Sequence, residues 1–231
     1  MIPIKAVQKL SLIDYPGKLC ATLFLGGCNF RCPYCYNIDL VLKPDRLRNL
    51  SEQDIFNFLV SRKNLIDGVC LGGGEPTVHE GLLELVTKLK TFGFAVKLDT
   101  NGSMPNILRD LIKRRLVDYI AMDVKAPLEK YSKVVGVEID TDKLKGSIAL
   151  IKSSGIDYEF RITLVPTITE REDLIAIAQM LRNSKKFVLQ QFDNKRTLNK
   201  KFQNVAPYPR AVIEDFAQAI KHYFGEVKLR V

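Results

Sequence analysis

The stretch 69–98, VCLGGGEPTVHEGLLELVTKLKTFGFAVKL, decides the architecture. Val69–Leu71 is a short apolar run closed by Gly72-Gly73-Gly74, which reads as a buried strand ending in a turn. A helix follows Thr77, with Glu80 three residues on completing a capping box. Its apolar stripe is Leu82, Leu83, Val86 and Leu89, and Gly93 fits its C-terminal stop. Phe94–Leu98 is then a second strand. Strand, helix and strand of this length make one parallel crossover unit.

The same unit recurs on both sides. Upstream, Leu19–Leu25 is a strand ending in Gly26-Gly27, and Ser51–Val60 is a helix with Ser51 as N-cap and Ile55, Phe58 and Leu59 on one face. Downstream, a helix after Pro105 carries Ile107, Leu108, Leu111 and Ile112, and Tyr119–Val124 is a strand. Leu144–Ile151 is helical and stops at Gly155, Tyr158–Val165 is a strand, and Leu174–Leu181 is a helix. Phe187–Phe192 is a strand, Ala211–Phe224 a helix, and Val227–Val231 a final strand. Strands alternating with helices predict an α/β fold with a parallel sheet and helices outside it. Periodicity alone leaves an open sheet and a barrel equally possible. No linker or low-complexity segment divides residues 1–231, so one domain is expected.

Composition narrows the class. The chain has 231 residues, of which 46% are hydrophobic and 26% charged, which excludes a disordered or fibrous protein. No apolar run is long enough for a membrane span, and the opening MIPIKAVQKLSLIDYPG lacks the apolar core of a signal peptide. The expected compartment is a reducing cytoplasm. The net charge of +9 fits an acidic partner or, more simply, a solvated lysine-rich surface. The densest basic cluster, Arg109, Lys113, Arg114 and Arg115, has no interleaved aromatics, so a nucleic-acid partner is not expected.

The chemistry-bearing residues fall at, near or just after strand ends. They are Cys28-Asn29-Phe30-Arg31-Cys32-Pro33-Tyr34-Cys35, then Gly72-Gly73-Gly74-Glu75-Pro76, Asp99-Thr100-Asn101-Gly102, Asp123 with Lys125, Arg161, and Gln190-Gln191. In a parallel sheet or barrel these positions share the C-terminal rim, where active sites are built. Three cysteines in one loop let three thiolates converge on one soft metal centre. Structural zinc wants four ligands, and the histidines His79 and His222 are both far from this loop in sequence. Three ligands on a four-iron cluster would leave one iron open. Cys20 and Cys70 lie inside apolar strands and read as buried small hydrophobes. The glycine run matches neither a phosphate-binding P-loop nor a dinucleotide fingerprint, and neither histidine sits in a hydrolase motif.

The CxxxCxxC run, with Tyr34 before its last cysteine, resembles the signature of the radical S-adenosylmethionine superfamily. Gly73-Gly74-Glu75 resembles that superfamily's GGE segment. Leu98-Asp99-Thr100-Asn101-Gly102, Asp123-Val124-Lys125 and Asn37 are similar to segments of the glycyl-radical-enzyme activases. The opening Gln8–Lys18 is most similar to the anaerobic ribonucleoside-triphosphate reductase activating proteins, with pyruvate formate-lyase activating enzymes as relatives.

The resemblance implies a partial (β/α)6 TIM-like barrel. It also implies a [4Fe-4S] cluster on Cys28, Cys32 and Cys35, with S-adenosylmethionine bound at the open iron. Reductive cleavage would give a 5′-deoxyadenosyl radical that takes a hydrogen atom from a glycine of a partner enzyme. An electron donor such as flavodoxin or ferredoxin is implied.

The implied cofactor-binding residues are Tyr34, Tyr36, Asn37, Gly73, Gly74, Glu75, Asp99, Asn101, Asp123, Lys125, Arg161 and Gln191. Glu75 would accept from the ligand's ammonium group. Gly73 and Gly74 would let the backbone come close to the ligand. Arg161 would meet a carboxylate and Gln191 an adenine edge. In relatives two aspartates help bind a monovalent cation, which implies one near Asp99 and Asp123. Tyr36 stands where many activases have histidine. No cysteine lies between Cys35 and Cys70 or after Cys70, so no auxiliary cluster is expected. Alternative readings are a small radical enzyme acting on a nucleoside or tRNA base and, more remotely, a zinc-stapled nucleic-acid-binding module.

Overall fold

The computed structural model describes residues 2–231. One sheet has the sequential order β1 (Ile4–Ser11), β2 (Cys20–Leu25), β3 (Gly68–Gly73), β4 (Ala95–Thr100), β5 (Tyr119–Asp123), β6 (Asp157–Leu164), β7 (Ser184–Gln191) and β8 (Phe224–Arg230). Neighbours from β2 to β8 are parallel. The crossovers carry α1 (Ile38–Leu42) with α2 (Glu52–Ser61), α3 (Leu82–Thr91), α4 (Pro105–Lys113), α5 (Tyr131–Val135) with α6 (Thr141–Ser153), α7 (Arg171–Met180) and α8 (Arg210–Ile220). The six strand–helix units read from the sequence are therefore all present, and β8 follows them. Within the described residues β1 and β8 end the order without pairing to each other, so the barrel is partial and open on one side.

β1 pairs antiparallel with β2 and was not visible in the pattern. It is an edge strand whose interior residues are mostly exposed or half-buried, which removes the apolar run a buried strand shows. Other departures lie at element ends. The capping box at Thr77 and Glu80 does not form. The Thr77 hydroxyl donates to Glu75 instead, Pro76–Val78 makes a 3-10 turn, and α3 begins at Leu82 with Gly81 as an N-cap lacking a side-chain bond. Its buried stripe accordingly uses Leu85 rather than Leu83. On α2 the Ser51 hydroxyl accepts from Asp54 N–H at 3.3 Å as expected, but Phe56 is buried where Phe58 was expected. α8 ends at Ile220, because Lys221–Tyr223 tightens into a 3-10 turn and Phe224 begins β8, stacked on Phe187 at 4.8 Å. Gly93 and Gly155 do end α3 and α6, with φ of 74° and 72°.

Side chains alternate across each strand and so build two interiors. Leu23, Leu71, Leu98, Ile120, Phe160 and Leu189 lie in the large core with the apolar helix stripes. Each such fully buried side chain contributes about 1.5–3 kcal/mol. The other face looks into the barrel. Its lower part is a small cluster of Tyr15, Cys20, Cys70, Tyr119 and Ala121. Above it the lining turns polar, with Asp99, Asp123, Arg161 and Thr163. Cys20 and Cys70 are 0% and 1% exposed, the buried small residues expected. Among the described residues no helix is long and apolar enough to cross a membrane.

Candidate active site

The loop between β2 and α1 carries the three rim cysteines and is pinned from three directions. Glu75 N–H donates to Gly27 O at 2.8 Å, Arg31 N–H to Val135 O at 2.7 Å, and Leu198 N–H to Cys35 O at 3.0 Å. The Arg31 guanidinium folds back on its own loop, donating to Cys28 O at 2.6 Å and Phe30 O at 2.8 Å. Asn37 donates its side-chain amide to Gly73 O at 2.9 Å, tying the loop to the end of β3. All five cysteines are free. Burial pushes the Cys28 thiol up to about 12 and the Cys32 thiol to about 11, and raises Cys35 as well. In so dry a place a thiolate is costly unless a metal takes up its charge.

Every residue implied as a cluster ligand or cofactor contact lines one cavity of about 740 Å³. Cys28, Cys32 and Cys35 stand on one side with Tyr34, Tyr36 and Asn37. Gly73, Gly74, Glu75 and Asn101 form a second side. Asp99, Asp123, Lys125 and Arg161 form the floor, and Gln191 lies on the β7 side.

Their individual roles differ from expectation at several points. Glu75 is 1% exposed and already has four donors. Thr77 N–H, the Thr77 hydroxyl and the Thr100 hydroxyl reach Oε1, while Asn101 N–H reaches Oε2 at 2.6 Å. It therefore staples the two rim loops together, and Oε2 keeps acceptor capacity toward the cavity. Burial raises its pKa, against the opposing pull of those hydrogen bonds. The glycines answer to the protein's own backbone. A Cβ at Gly73 would stand 2.6 Å from Leu25 N, and one at Gly74 would stand 1.8 Å from Gly27 O. Gly73 also has φ of 106°.

Asn101 donates its side-chain amide at 2.9 Å to Asn29, a residue of the cysteine loop to which the sequence assigned no role. The Gln191 amide donates to Tyr208 O at 2.8 Å and its oxygen accepts from Phe192 N–H at 3.1 Å, so both ends of the proposed adenine contact are engaged by protein. Gln190, its neighbour on the inner face, also lines the cavity.

The floor is a charged network. Arg161 Nε donates to Asp123 Oδ1 at 2.7 Å and its Nη1 to Asp99 Oδ2 at 3.0 Å. Lys125 Nζ donates to Asp123 Oδ2 at 3.0 Å, and Lys97 Nζ takes Asp99 Oδ1. Burial works against both carboxylates, but Arg161 with Lys125 holds Asp123, and Arg161 with Lys97 holds Asp99, below the usual carboxylate range. All four carboxylate oxygens thus have a protein cation as partner, and the expected monovalent cation would have to share them. Lys97 was missed in the sequence. The signal was there, a lysine in an apolar strand two residues before Asp99 and so on the same face.

The donor set fits a [4Fe-4S] cluster. Three free thiols of one loop face one cavity, and three ligands leave one iron open. Among the described residues no three His, Cys, Asp or Glu side chains converge as a single metal ion would require.

Residues 22–181 match the sequence profile of the radical SAM superfamily. A Methanocaldococcus jannaschii protein named as a glycyl-radical enzyme activating enzyme is 33% identical over 98% of this chain and 95% of its own length. A pyruvate formate-lyase-activating enzyme of Streptococcus mutans is 27% identical, covering 79% of this chain and 73% of that protein. Among solved structures, Streptococcus suis SuiB bound to S-adenosylmethionine aligns with 88% of this chain at a TM-score of 0.67 and 14% identity, and the chain spans 48% of SuiB. A domain of pyruvate-formate lyase-activating enzyme from Bacteroides vulgatus aligns over 71% of this chain and 99% of that domain, at a TM-score of 0.57 and 16% identity. The two structural likenesses speak for a shared fold, and the sequence matches carry the kinship. The chain belongs to the radical SAM superfamily and stands there with the glycyl-radical enzyme activating enzymes.

Proposed function

We propose that residues 1–231 act as one unit that cleaves S-adenosylmethionine reductively and abstracts hydrogen from a glycine of a partner enzyme, an anaerobic ribonucleoside-triphosphate reductase. The carrying observation is the single cavity on which the three thiols, the Glu75 rim and the cationic floor all open. Cys28, Cys32 and Cys35 would hold the cluster. When bound, the cluster and S-adenosylmethionine would supply a one-electron carbon–sulfur cleavage, fed by a flavodoxin or ferredoxin, that makes hydrogen abstraction from a glycine C–H bond possible.

The chain's own residues bind and orient. Glu75 Oε2 can accept from the ligand's ammonium group. Lys125 and Arg161 line the floor, where they could meet its carboxylate. Asn37 and Asn101 line the same cavity, and each also ties a rim loop down through its side-chain amide. The open side between β1 and β8 gives a partner's loop a route to the cavity. The likeness of Gln8–Lys18 to reductase-activating proteins supports the choice of partner. A reducing cytoplasm suits such a cluster.

The test is anaerobic reconstitution with iron and sulfide, then dithionite and S-adenosylmethionine. Expected is 5′-deoxyadenosine from the native chain and none from Cys32→Ala. Uptake of stoichiometric zinc without iron would overturn the reading. With an anaerobic ribonucleotide reductase added, a glycyl-radical doublet should appear by electron paramagnetic resonance. A doublet with pyruvate formate-lyase alone would overturn the choice of partner and keep the chemistry.

A further inference from the structure

Lys97 has no part in the chemistry proposed above, yet it is the most deeply buried cation near the site. It is 1% exposed and sits mid-strand on β4, beneath Asp99. An ammonium group that dry is costly unless it is well partnered. Its Nζ binds Asp99 Oδ1, lies 3.7 Å from Cys70 Sγ, and is 6.0 Å from the Tyr119 ring centre. A carboxylate, a sulfur and an aromatic face make a small cation cage. Three protein cations, Lys97, Lys125 and Arg161, face two carboxylates, Asp99 and Asp123, so the floor already has one positive charge in excess. A monovalent cation between these carboxylates would have to share oxygens that each already hold a protein cation, and would add a second excess charge.

We infer that Lys97 is a built-in counter-ion that takes the place of a dissolved monovalent cation. Its ammonium keeps Asp99 ionised and aimed at Arg161, and the site needs neither sodium nor potassium. Lys97 is in this sense a positioning residue, acting through Asp99.

The test is thermal unfolding of the full chain in sodium, potassium, ammonium or choline chloride at equal ionic strength. The native chain should melt at one temperature in all four salts. A specifically bound cation at a hundredfold its Kd would raise Tm by roughly 5–10 °C, and such a saturable rise in sodium or potassium would overturn the inference. Lys97→Ala should melt lower in choline and recover saturably in ammonium or potassium, whose ions fit the vacated cage. A purely structural lysine would show no such salt-specific recovery, and its absence in a folded Lys97→Ala chain also overturns the inference. Should Lys97→Ala fail to fold, Lys97→Met fills the volume without charge and should stay destabilised alike in all four salts, while the native titration decides on its own. These melts use no cluster and no S-adenosylmethionine, so they fail or succeed independently of the proposed function.

Discussion

Arg161 reaches Asp123 at 2.7 Å and Asp99 at 3.0 Å from a side chain that is 10% exposed. Removing it leaves two carboxylates facing each other across the floor with one lysine apiece. Breaking a buried ion pair from one side typically costs 3–5 kcal/mol, so Arg161→Met should lose about 3 kcal/mol in a urea melt at pH 7. A loss under about 1 kcal/mol would show the floor to be well hydrated. The pH dependence carries a definite sign. Both aspartates have folded pKa values below the ordinary one, so their stabilisation is complete above about pH 4 and fades as pH falls below it. In Arg161→Met the fade should begin at higher pH, which melts between pH 3 and 7 would show. Glu75→Gln puts an amide against four donors and should cost about 2 kcal/mol. Which residues reach the cavity was legible, since each lies at, near or just after the end of an apolar strand. What each one holds was not. Glu75 meets Thr100 and Asn101, 25 and 26 residues away, and Gln191 meets Tyr208, through folds of the chain that no local pattern encodes.

At the scale of elements, the glycine run that ends β3 separates close backbone approach from ligand access. A Cβ at Gly72 would meet nothing nearer than Asp99 Cβ at 3.7 Å, ordinary van der Waals contact. At Gly73 and Gly74 it would strike Leu25 N and Gly27 O, backbone atoms that cannot swing aside. Gly72→Ala should therefore melt within about 1 kcal/mol of the native chain. Gly74→Ala should lose at least about 3 kcal/mol or fail to fold, since overpacking alone costs 1–3 and here the obstacle is rigid. Equal melts for the two would mean that the β2–β3 contact yields more than its geometry implies. Strand and helix periods carried the sequence reading at this scale, because both faces of the parallel strands are buried and the runs stand out. Two things escaped it. β1 is an edge strand with an ordinary polar pattern. The start of α3 was displaced because Glu75, buried by the site, drew the Thr77 hydroxyl away from capping.

For the whole molecule, the question is what holds an unclosed sheet at barrel curvature. The inner face answers below the cavity. Glu159 of β6 is 0% exposed and accepts from Tyr119 of β5 at 3.0 Å and from Arg230 of β8 at 2.7 and 3.0 Å. Arg230 pairs in register with Gln190 of β7, so its side chain crosses the inside of β7 to reach β6. One carboxylate thus gathers three strands, including the last. No single-strand pattern reveals this, because a buried glutamate and a penultimate arginine become partners only once the sheet curves. If the bridge helps set that curvature, Arg230→Met leaves Glu159 with a hydroxyl alone and should cost about 3 kcal/mol. Glu159→Gln removes the charge but keeps an acceptor for Tyr119 and should cost less. The double variant should be more stable than the two losses added together, with a coupling of at least about 1.5 kcal/mol in urea melts. Simple additivity would mean that Arg230 is held near Glu159 without anchoring β8, and that helix packing on the outer face alone bends the sheet.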